Sequence, residues 1–369
     1  MIYKIYYHPL KLGGKMANGK YRNLNNEEYW KKRSEEKVDK YWNKIKNVEK
    51  ELASQYRLAL DDIRQMTIDL FEKYSKNERI TYQDAVKELS VYEMGDYKTK
   101  LNRLIEGVKA TNDPFLIAEL NKLQQVSKLT RFQSLMAQIE ARLLDLGYNQ
   151  QMTIEQWLSG VYEGNYYQSI YALQVGTGIG AGFAVLNEEA IKTAITTPLH
   201  GDMFSSRIWD NKDQLVKHLR QTITQGLIKG ESNQVMARSL KEKMNSNYSN
   251  ALRLIRTETA NVLSESTNQG YKQSGIVNQY QLLATFSDRT CEICSKLDGK
   301  IYNVDDKQAG LNASPIHPNC RCTEVPYFAD DDMEDSQRFA RIGKETFYVP
   351  ANMTFKEFQD KYITKSVPM

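Results

Sequence analysis

The chain has 369 residues, of which 41% are hydrophobic and 26% are charged, and its formal net charge is +4 at pH 7. This composition excludes a disordered tail. It also excludes a membrane anchor, because no run approaches the roughly 20 apolar residues that span a bilayer. The four cysteines lie between Cys291 and Cys322, and residues 1–15 lack the apolar core of a signal peptide. We therefore do not expect a secreted scaffold held together by disulfides.

Long helices are predicted for most of the chain. There are eight prolines, and residues 10–113, 115–197 and 199–314 contain none. From Asn25 to Tyr74 apolar side chains recur at steps of three and four residues, as on one face of a helix. This stripe consists of Val48, Leu52, Tyr56, Ala59, Ile63, Met66, Leu70 and Tyr74. Thr81 then predicts a capped restart, and we expect the stripe to pack against other helices.

The middle of the chain predicts two further helices and a joint. Residues 129–146 place apolar side chains on one face, Gly147 is expected to end that helix, and residues 157–173 predict another. The glycine-rich run 175–182 resembles a phosphate-binding loop, but no strand precedes it and no Lys-Ser/Thr pair follows it. We therefore interpret this run as a flexible joint between helices, and we predict a domain boundary near it.

A basic helical segment follows. Residues 205–275 again have helical spacing, with glycines as punctuation. Between Arg207 and Thr257 there are ten Lys or Arg and four Asp or Glu, a local charge of +6. This surface is the best candidate for contact with double-stranded DNA, although a solvated helix face explains the charges equally well. The candidate contacts are Lys217, Arg220, Lys229, Arg238, Lys241 and Lys243.

The cysteines form two close pairs that predict a metal site. Cys291 and Cys294 are separated by two residues, and Cys320 and Cys322 by one, with His317 just before the second pair. The first pair fits a turn whose amide groups face the sulfurs, and residues two apart in an extended chain point the same way. Four such ligands suit a closed, structural Zn²⁺ site rather than a catalytic one. Disulfides and free thiols remain the alternatives.

Three carboxylate-bearing motifs lie near the cysteines in sequence and are expected to be structural. Arg256 and Glu258 lie on a predicted helix, where they suit either a substrate clamp or, by preference, an ion pair that ties the helix to the cysteine region. Asp288 and Arg289 predict a turn before the first cysteine pair. Asp298-Gly299 predicts a type I′ turn that closes a hairpin after it.

No convincing active site is predicted, and we expect that the protein is not an enzyme. A catalytic nucleophile needs a base and an orienting group that meet in space. The histidines are spread along the chain, at His8, His200, His218 and His317. Only His317 lies near cysteines, where it competes as a metal ligand.

The fold class is therefore mainly α: a long-helix body with a small C-terminal α+β module that zinc would staple. Residues 279–285 alternate like a strand and open this module, and residues 330–335 form an acidic linker. We predict four segments: an N-terminal helical region 1–175, a helical region with a basic face 176–275, the cysteine-rich module 276–328, and a linker and tail 329–369.

Several motifs in this order resemble the phage Mu F-like head morphogenesis family, the minor head proteins of tailed bacteriophages. The C-terminal resemblance covers about 200–327, and shorter motifs extend it over nearly the whole chain. The C-terminal motifs are residues 251–260, Tyr271 with Ser274-Gly275, residues 288–299 and residues 315–322. The other motifs are residues 29–33, 130–132, 196–198 and 206–209.

The resemblance implies a virion protein, present in few copies in the head interior or at the portal vertex, and in the host cytoplasm during assembly. It implies the portal protein as a partner, with scaffold or capsid protein as further partners, and non-specific binding to packaged or ejected DNA. Some relatives carry a C-terminal toxin or enzyme domain. The alternative function is therefore a toxin-like or zinc-dependent enzyme that uses the Cys/His module.

Overall fold

The computed structural model describes residues 26–74, 79–109, 113–177, 183–328, 337–342, 345–350 and 355–363. Within these ranges the chain is mainly helical with small sheets near the C-terminus, which confirms the predicted fold class at that level. None of the described helices carries an apolar stretch long enough to span a bilayer. The predictions for His8, for the acidic residues 330–335 and for glycines 178, 180 and 182 concern residues outside the described ranges.

Four of the described helices, α1, α5, α7 and α8, have 49, 47, 26 and 42 residues and are longer than most helices in globular proteins. Their bounds are α1 Asn26–Tyr74, α2 Tyr82–Ala85, α3 Val91–Lys109, α4 Pro114–Gln124, α5 Arg131–Thr177, α6 Glu188–Thr196, α7 Phe204–Lys229, α8 Asn233–Ser274, α9 Glu292–Leu297 and α10 Phe355–Phe358, with Val304–Asp306 in a 3-10 turn and Gln359–Ile363 in a π turn. Local chemistry sets several ends. The Thr81 side chain accepts from the amide of Asp84, as predicted, and Gly230 ends α7 in the left-handed conformation.

Gly147 does not end a helix, contrary to the sequence prediction. Helix α5 continues through it to Thr177 and so includes both predicted segments. A Cβ atom at Gly147 would lie 3.1 Å from the indole ring of Trp209, so the missing side chain makes room for that ring. The contact with Trp209 therefore explains why a glycine occupies this position, and the helix continues despite the low helix propensity of glycine.

The strands form two small sheets. They are β1 Gln279–Leu283, β2 Phe286–Ser287, β3 Ile301–Asn303, β4 Thr323–Tyr327, β5 Gln337–Ile342 and β6 Glu345–Pro350. The first sheet has the order β3-β1-β4 and is antiparallel, with Tyr280 opposite Tyr302 on one side and Pro326 on the other. In the second, β2 pairs with β5 in parallel and β5 with β6 antiparallel. The predicted strand at 279–285 is thus confirmed as β1.

The described residues fall into two compact units. Unit 2 comprises Asn47–Gln156 and Asp202–Arg253, and unit 1 comprises the described residues within 1–46, 157–201 and 254–369. Helices α1, α5 and α8 each have residues in both units. This grouping joins distant parts of the chain, whereas the four predicted segments divide it linearly. That four-part division stays a prediction.

Unit 2 has an apolar core built from helical stripes. The stripe predicted on α1 is buried at Leu52, Tyr56, Ala59, Ile63 and Leu70. In the same cluster, α5 and α7 contribute residues that include Leu135, Ile139, Leu143, Leu219, Ile223 and Leu227. Each fully buried aliphatic side chain of this kind stabilises the folded state by roughly 1.5–3 kcal/mol.

Unit 1 places a polar helix segment at its centre. From Thr257 to Thr267 every residue of α8 except Glu265 is buried. The Asn165 side chain of α5 supplies donors to this segment, since its Nδ2 lies 2.9 Å from the Leu263 carbonyl oxygen and 2.7 Å from Ser266 Oγ. Such a segment shows no amphipathic stripe because all of its faces are covered.

Candidate metal centre and basic helical face

The first cysteine pair begins α9. Cys291 is the N-cap residue of this short helix, and its Sγ accepts a hydrogen bond from the amide of Cys294 at 3.3 Å. Cys294 is 2% exposed, whereas Cys291 is partly exposed. The spacing C-x-x-C produces this geometry because the N-cap side chain reaches the amide three residues later. An amide therefore faces a sulfur in a turn, as the spacing predicts.

The second pair lies in extended chain directly before β4. Cys320 and Cys322 are 1% and 8% exposed, while Arg321 between them is exposed. The Arg321 guanidinium lies over the Trp42 ring of α1, 5.0 Å from its centroid. The alternation of an extended chain thus sends both thiols inward and the cation outward.

The sulfurs meet in a dry cluster with Leu282, Ala284 and Ile316. All four cysteines are free, and Cys294 Sγ lies 4.0 Å from Cys320 Sγ. This is close to the ~3.8 Å edge of a tetrahedron whose Zn–S distance is about 2.3 Å. The two sulfurs are therefore spaced as tetrahedral zinc ligands are.

The five predicted ligands divide into two overlapping groups. The ligand atoms of Cys291, Cys294 and His317 lie within 4.8 Å of one another, and so do those of Cys294, Cys320 and Cys322. Among the residues that the structure describes, no four candidate ligands are all this close together. Cys294 belongs to both groups, so an ion with four ligands would draw the two groups together around it.

The buried sulfurs share negative charge. Hydrogen bonds from the Cys294 and Cys322 thiols lower the pKa of Cys320. Conversely, hydrogen bonding to Cys320 raises the pKa of Cys294, and hydrogen bonds to Cys294 and Cys320 raise that of Cys322. These hydrogen bonds favour a thiolate at Cys320 over one at either neighbour, and a cation would be needed to stabilise the fully deprotonated set.

His317 is oriented as a metal ligand would be. Its Nδ1 lies 2.8 Å from the Pro318 carbonyl oxygen. In the tautomer that donates from Nδ1 to this carbonyl, Nε2 carries the lone pair and is available to a metal ion.

The motif on α8 contacts the cysteine loop. Thr257 Oγ1 accepts a hydrogen bond from the amide of Asn319 at 3.1 Å. Glu258 is 2% exposed and Arg256 is half-buried. The helix is thus tied to the segment between His317 and Cys320 through Thr257, and the ion pair between Arg256 and Glu258 stays a prediction.

The two predicted turns have different outcomes. Asp288 and Arg289 lie in a turn in which the Thr290 amide donates to the Ser287 carbonyl oxygen at 3.2 Å. The type I′ assignment of Asp298-Gly299 is wrong, because Asp298 has φ −58° and ψ 132° while Gly299 has φ +76°. These angles define a type II turn, and this turn joins α9 to β3 instead of closing a two-residue hairpin.

Sequence reasoning missed two buried charged residues next to the cysteine region. Glu324 Oε1 accepts hydrogen bonds from the Ser264 hydroxyl at 2.9 Å and the Ser314 amide at 2.6 Å. Lys37 Nζ donates to Thr267 Oγ1 at 3.0 Å. Burial lowers the pKa of Lys37 to about 8 and raises that of Glu324. One signal was available for Glu324, since it lies two residues after Cys322 in the buried strand β4.

The six predicted DNA contacts all lie on solvent-exposed parts of α7 and α8 in unit 2. Lys217, Arg220, Lys229, Arg238, Lys241 and Lys243 are exposed. Lys229 lies 4.0 Å from Glu231, and acidic Asp213 and Glu242 are exposed on the same two helices. The positive charges are thus accessible, with acidic side chains between them.

Comparisons with known proteins agree with the motifs. Residues 217–325 match the family model described as Phage Mu protein F like protein. The minor head protein GP7 of Bacillus phage SPP1 is 26% identical over 351 residues, which cover 88% of this chain and 96% of GP7.

A second relative is the NAD(+)–arginine ADP-ribosyltransferase EFV of Enterococcus faecalis, 30% identical over 186 residues and 47% of this chain. This chain spans only 38% of the length of that relative. No solved structure matches the chain. Residues 217–325 therefore match the phage Mu protein F-like family model, and they contain the C-terminal motifs in order.

Proposed function

We propose that this protein is a minor head protein of a tailed phage that associates with the portal during head assembly and remains in the virion. The observation that carries the proposal is the alignment with the SPP1 minor head protein along 88% of this chain and 96% of the relative. A match over both whole lengths supports a shared role better than a match to one domain does.

Two measurements test this role. We expect the protein to be present in few copies in purified virions and to co-purify with the portal protein from infected cells. Its presence in procapsids and absence from mature particles would identify an assembly factor instead. A chain found in neither particle would overturn the proposal.

The cysteine cluster is proposed to hold one structural Zn²⁺. Three of its sulfurs are buried, Cys294 and Cys320 are 4.0 Å apart, and a cation would offset the charge of the fully deprotonated set. The ligand set would be four of Cys291, Cys294, His317, Cys320 and Cys322. The host cytoplasm during assembly is a reducing compartment that keeps such thiols available to metal.

Metal analysis of the purified full chain tests the zinc site. We expect about one zinc per chain, lost in Cys294→Ser because Cys294 belongs to both ligand groups. His317→Ala and Cys322→Ala, compared with each other, identify the fourth ligand by which one loses zinc. Wild-type protein that carries no metal after purification under reducing conditions would contradict this part alone.

The exposed basic residues of α7 and α8 are proposed to contact packaged DNA without reading its sequence. Lysine and arginine at phosphates release counterions, so affinity for a duplex should fall steeply with salt. We expect the triple variant Lys217→Gln, Arg220→Gln, Lys229→Gln to bind more weakly and with a shallower salt slope. The control replaces the exposed Lys44, Lys50 and Lys98 in the same way and should bind as the wild type does.

The similarity to the Enterococcus transferase supports a second candidate, a toxin-like or zinc-dependent enzyme. The alignment leaves most of that relative outside, and the described cysteines are packed in an apolar cluster rather than around an open cleft. We therefore propose that this chain is not an enzyme. Incubation with NAD⁺ and an arginine acceptor should show no consumption above that of a heat-denatured sample, and turnover would favour the second candidate.

A further inference from the structure

A small cavity in unit 1 lies at the start of α1. Its volume is about 20 Å³, and side chains of α1, α5, α8 and β4 line it. The lining residues include Trp30, Arg33 and Lys37 from α1, Tyr271 from α8 and Pro326 from β4. A space of this size holds about one solvent molecule or one ion of similar radius.

Two cations face this cavity without a carboxylate partner. Lys37 Nζ donates only to hydroxyls, at 3.3 Å to Ser169 Oγ and 3.0 Å to Thr267 Oγ1. The Arg33 guanidinium lies between the rings of Tyr29 and Tyr171, 5.5 Å and 5.7 Å from their centroids. In the part of the chain that the structure describes, no Asp or Glu makes an ion pair with Arg33 or Lys37. Lys37 is buried and Arg33 is half-buried, and because buried charges in proteins are normally paired, this site favours an added counter-charge.

Unpartnered donors line the same cavity. Trp30 Nε1 and Arg33 Nε are buried and have no hydrogen-bond acceptor within the described ranges. Trp30 is 3% exposed, so its indole N–H is also shielded from bulk solvent. Trp, Arg and Lys side chains only donate hydrogen bonds, and the ligand that suits such a set is one that only accepts.

The cations also repel each other. The pKa of Lys37 is lowered to about 8, mainly by burial, with the Arg33 charge acting in the same direction and the Glu324 carboxylate in the opposite one. Glu324 offsets part of the Lys37 charge, but its Oε1 hydrogen-bonds to Ser264 and Ser314, and one carboxylate balances only one of the two cations.

We propose that this cavity binds a monovalent anion of halide size, chloride under ordinary conditions, between Arg33, Lys37 and the Trp30 indole N–H. The small volume of the cavity, about 20 Å³, suits a monatomic ion better than a phosphate. The ion would neutralise charge inside unit 1 and hold the first part of α1 to α5 and α8. The site is independent of the proposed head role and of the zinc cluster.

The first test uses the full chain and simple salts. At constant ionic strength we expect the midpoint of thermal unfolding to rise, and to saturate, as chloride or bromide replaces gluconate, which is too large for the cavity. Crystals soaked in bromide should show an anomalous peak in the cavity. Equal midpoints in chloride and gluconate, or a water molecule with no bromide peak, would overturn the proposal.

Variants test the assigned donors. Arg33→Gln should weaken the apparent chloride affinity by about tenfold or more, because it removes a charged donor. Trp30→Phe keeps the aromatic ring and removes only the N–H, so it should weaken binding less, and it serves if Arg33→Gln does not fold. Lys44→Gln removes an exposed charge from the same helix and should leave the chloride dependence unchanged. An unchanged chloride dependence in both cavity variants would rule out this site.

Discussion

The two units bury different kinds of side chain. All but four of the buried polar residues in the described ranges lie in unit 1, and the four in unit 2 are Thr67, Ser134, Gln150 and Asn247. The buried charged residues Lys31, Lys37, Glu258 and Glu324 are all in unit 1. The buried interior of unit 2 is therefore mostly apolar, whereas unit 1 also buries many polar and charged groups, whose hydrogen bonds are costly to break.

The largest effect is expected from removing a buried charge in unit 1. Glu324→Ala should lower the free energy of unfolding by about 3–5 kcal/mol, because it leaves the Ser264 hydroxyl, the Ser314 amide and the Lys37 ammonium poorly compensated. Chemical denaturation measures it, with hydrogen exchange in β4 and α8 to localise it. Glu324→Gln keeps an acceptor and should cost less. Equal losses in both variants would show that the charge, and not the hydrogen bonding, matters.

A cavity in the apolar core of unit 2 should cost somewhat less. Ile63 is 0% exposed within the cluster of α1, α5 and α7, so Ile63→Ala should lower the free energy of unfolding by about 2–5 kcal/mol. Leu58 on the same helix is 53% exposed, and Leu58→Ala is the matched control with little expected loss. A large loss at Leu58 would show that this face of α1 is covered by another surface in solution.

The buried Lys37 of unit 1 predicts a rise of stability with pH, and in the described residues no lysine of unit 2 is buried. Lys37 has a pKa of about 8 when folded against 10.5 when unfolded, so between these values the unfolded chain binds more protons and stability rises with pH. Over the 2.5 pKa units the gain approaches about 3 kcal/mol.

We propose to measure the free energy of unfolding of the wild type and of Lys37→Met by denaturation from pH 8 to 10.5. Gluconate is the anion, so that chloride binding does not contribute. The free energy of unfolding should rise with pH only in the wild type. Tyrosines with raised pKa values titrate in both proteins, and the difference between the two curves removes their contribution. Parallel curves would show that Lys37 is not buried as a charged group.

The difference between the buried side chains of the two units also explains which features could be predicted from the sequence. Periodicity identified the stripe from Leu52 to Leu70 because one face of that helix is apolar and the other charged. It gave no sign of Lys37, one of many lysines on α1, because only tertiary packing distinguishes it from its exposed neighbours. The predicted helix end at Gly147 was wrong for a similar reason, because this glycine makes room for the Trp209 ring in the tertiary structure.

Spacing predicted which candidate metal ligands lie close together, because cysteines two or three residues apart in the chain are near each other in most local conformations. Sequence spacing did not predict the turn type at Asp298-Gly299. The backbone angles there follow from a contact with β1, because the Gly299 amide donates to the Leu282 carbonyl oxygen at 2.8 Å. Nor did spacing place the tail, although Phe358 is buried and its ring lies 5.1 Å from that of Phe286. Contacts between distant segments were beyond local patterns in both cases.

The smallest effect is expected at an exposed cap in unit 2, where neither kind of core is involved. The Thr81 side chain accepts from the Asp84 amide at 3.1 Å and its hydroxyl donates to the Asp84 carboxylate at 2.6 Å. Thr81→Ala should lower the free energy of unfolding by about 1 kcal/mol, and Thr81→Ser should restore most of it because serine caps equally well. Denaturant titration of the three proteins measures both changes. A loss as large as that of Ile63→Ala would mean that α2 supports the apolar core, since Ala85 on the same short helix is buried in that cluster.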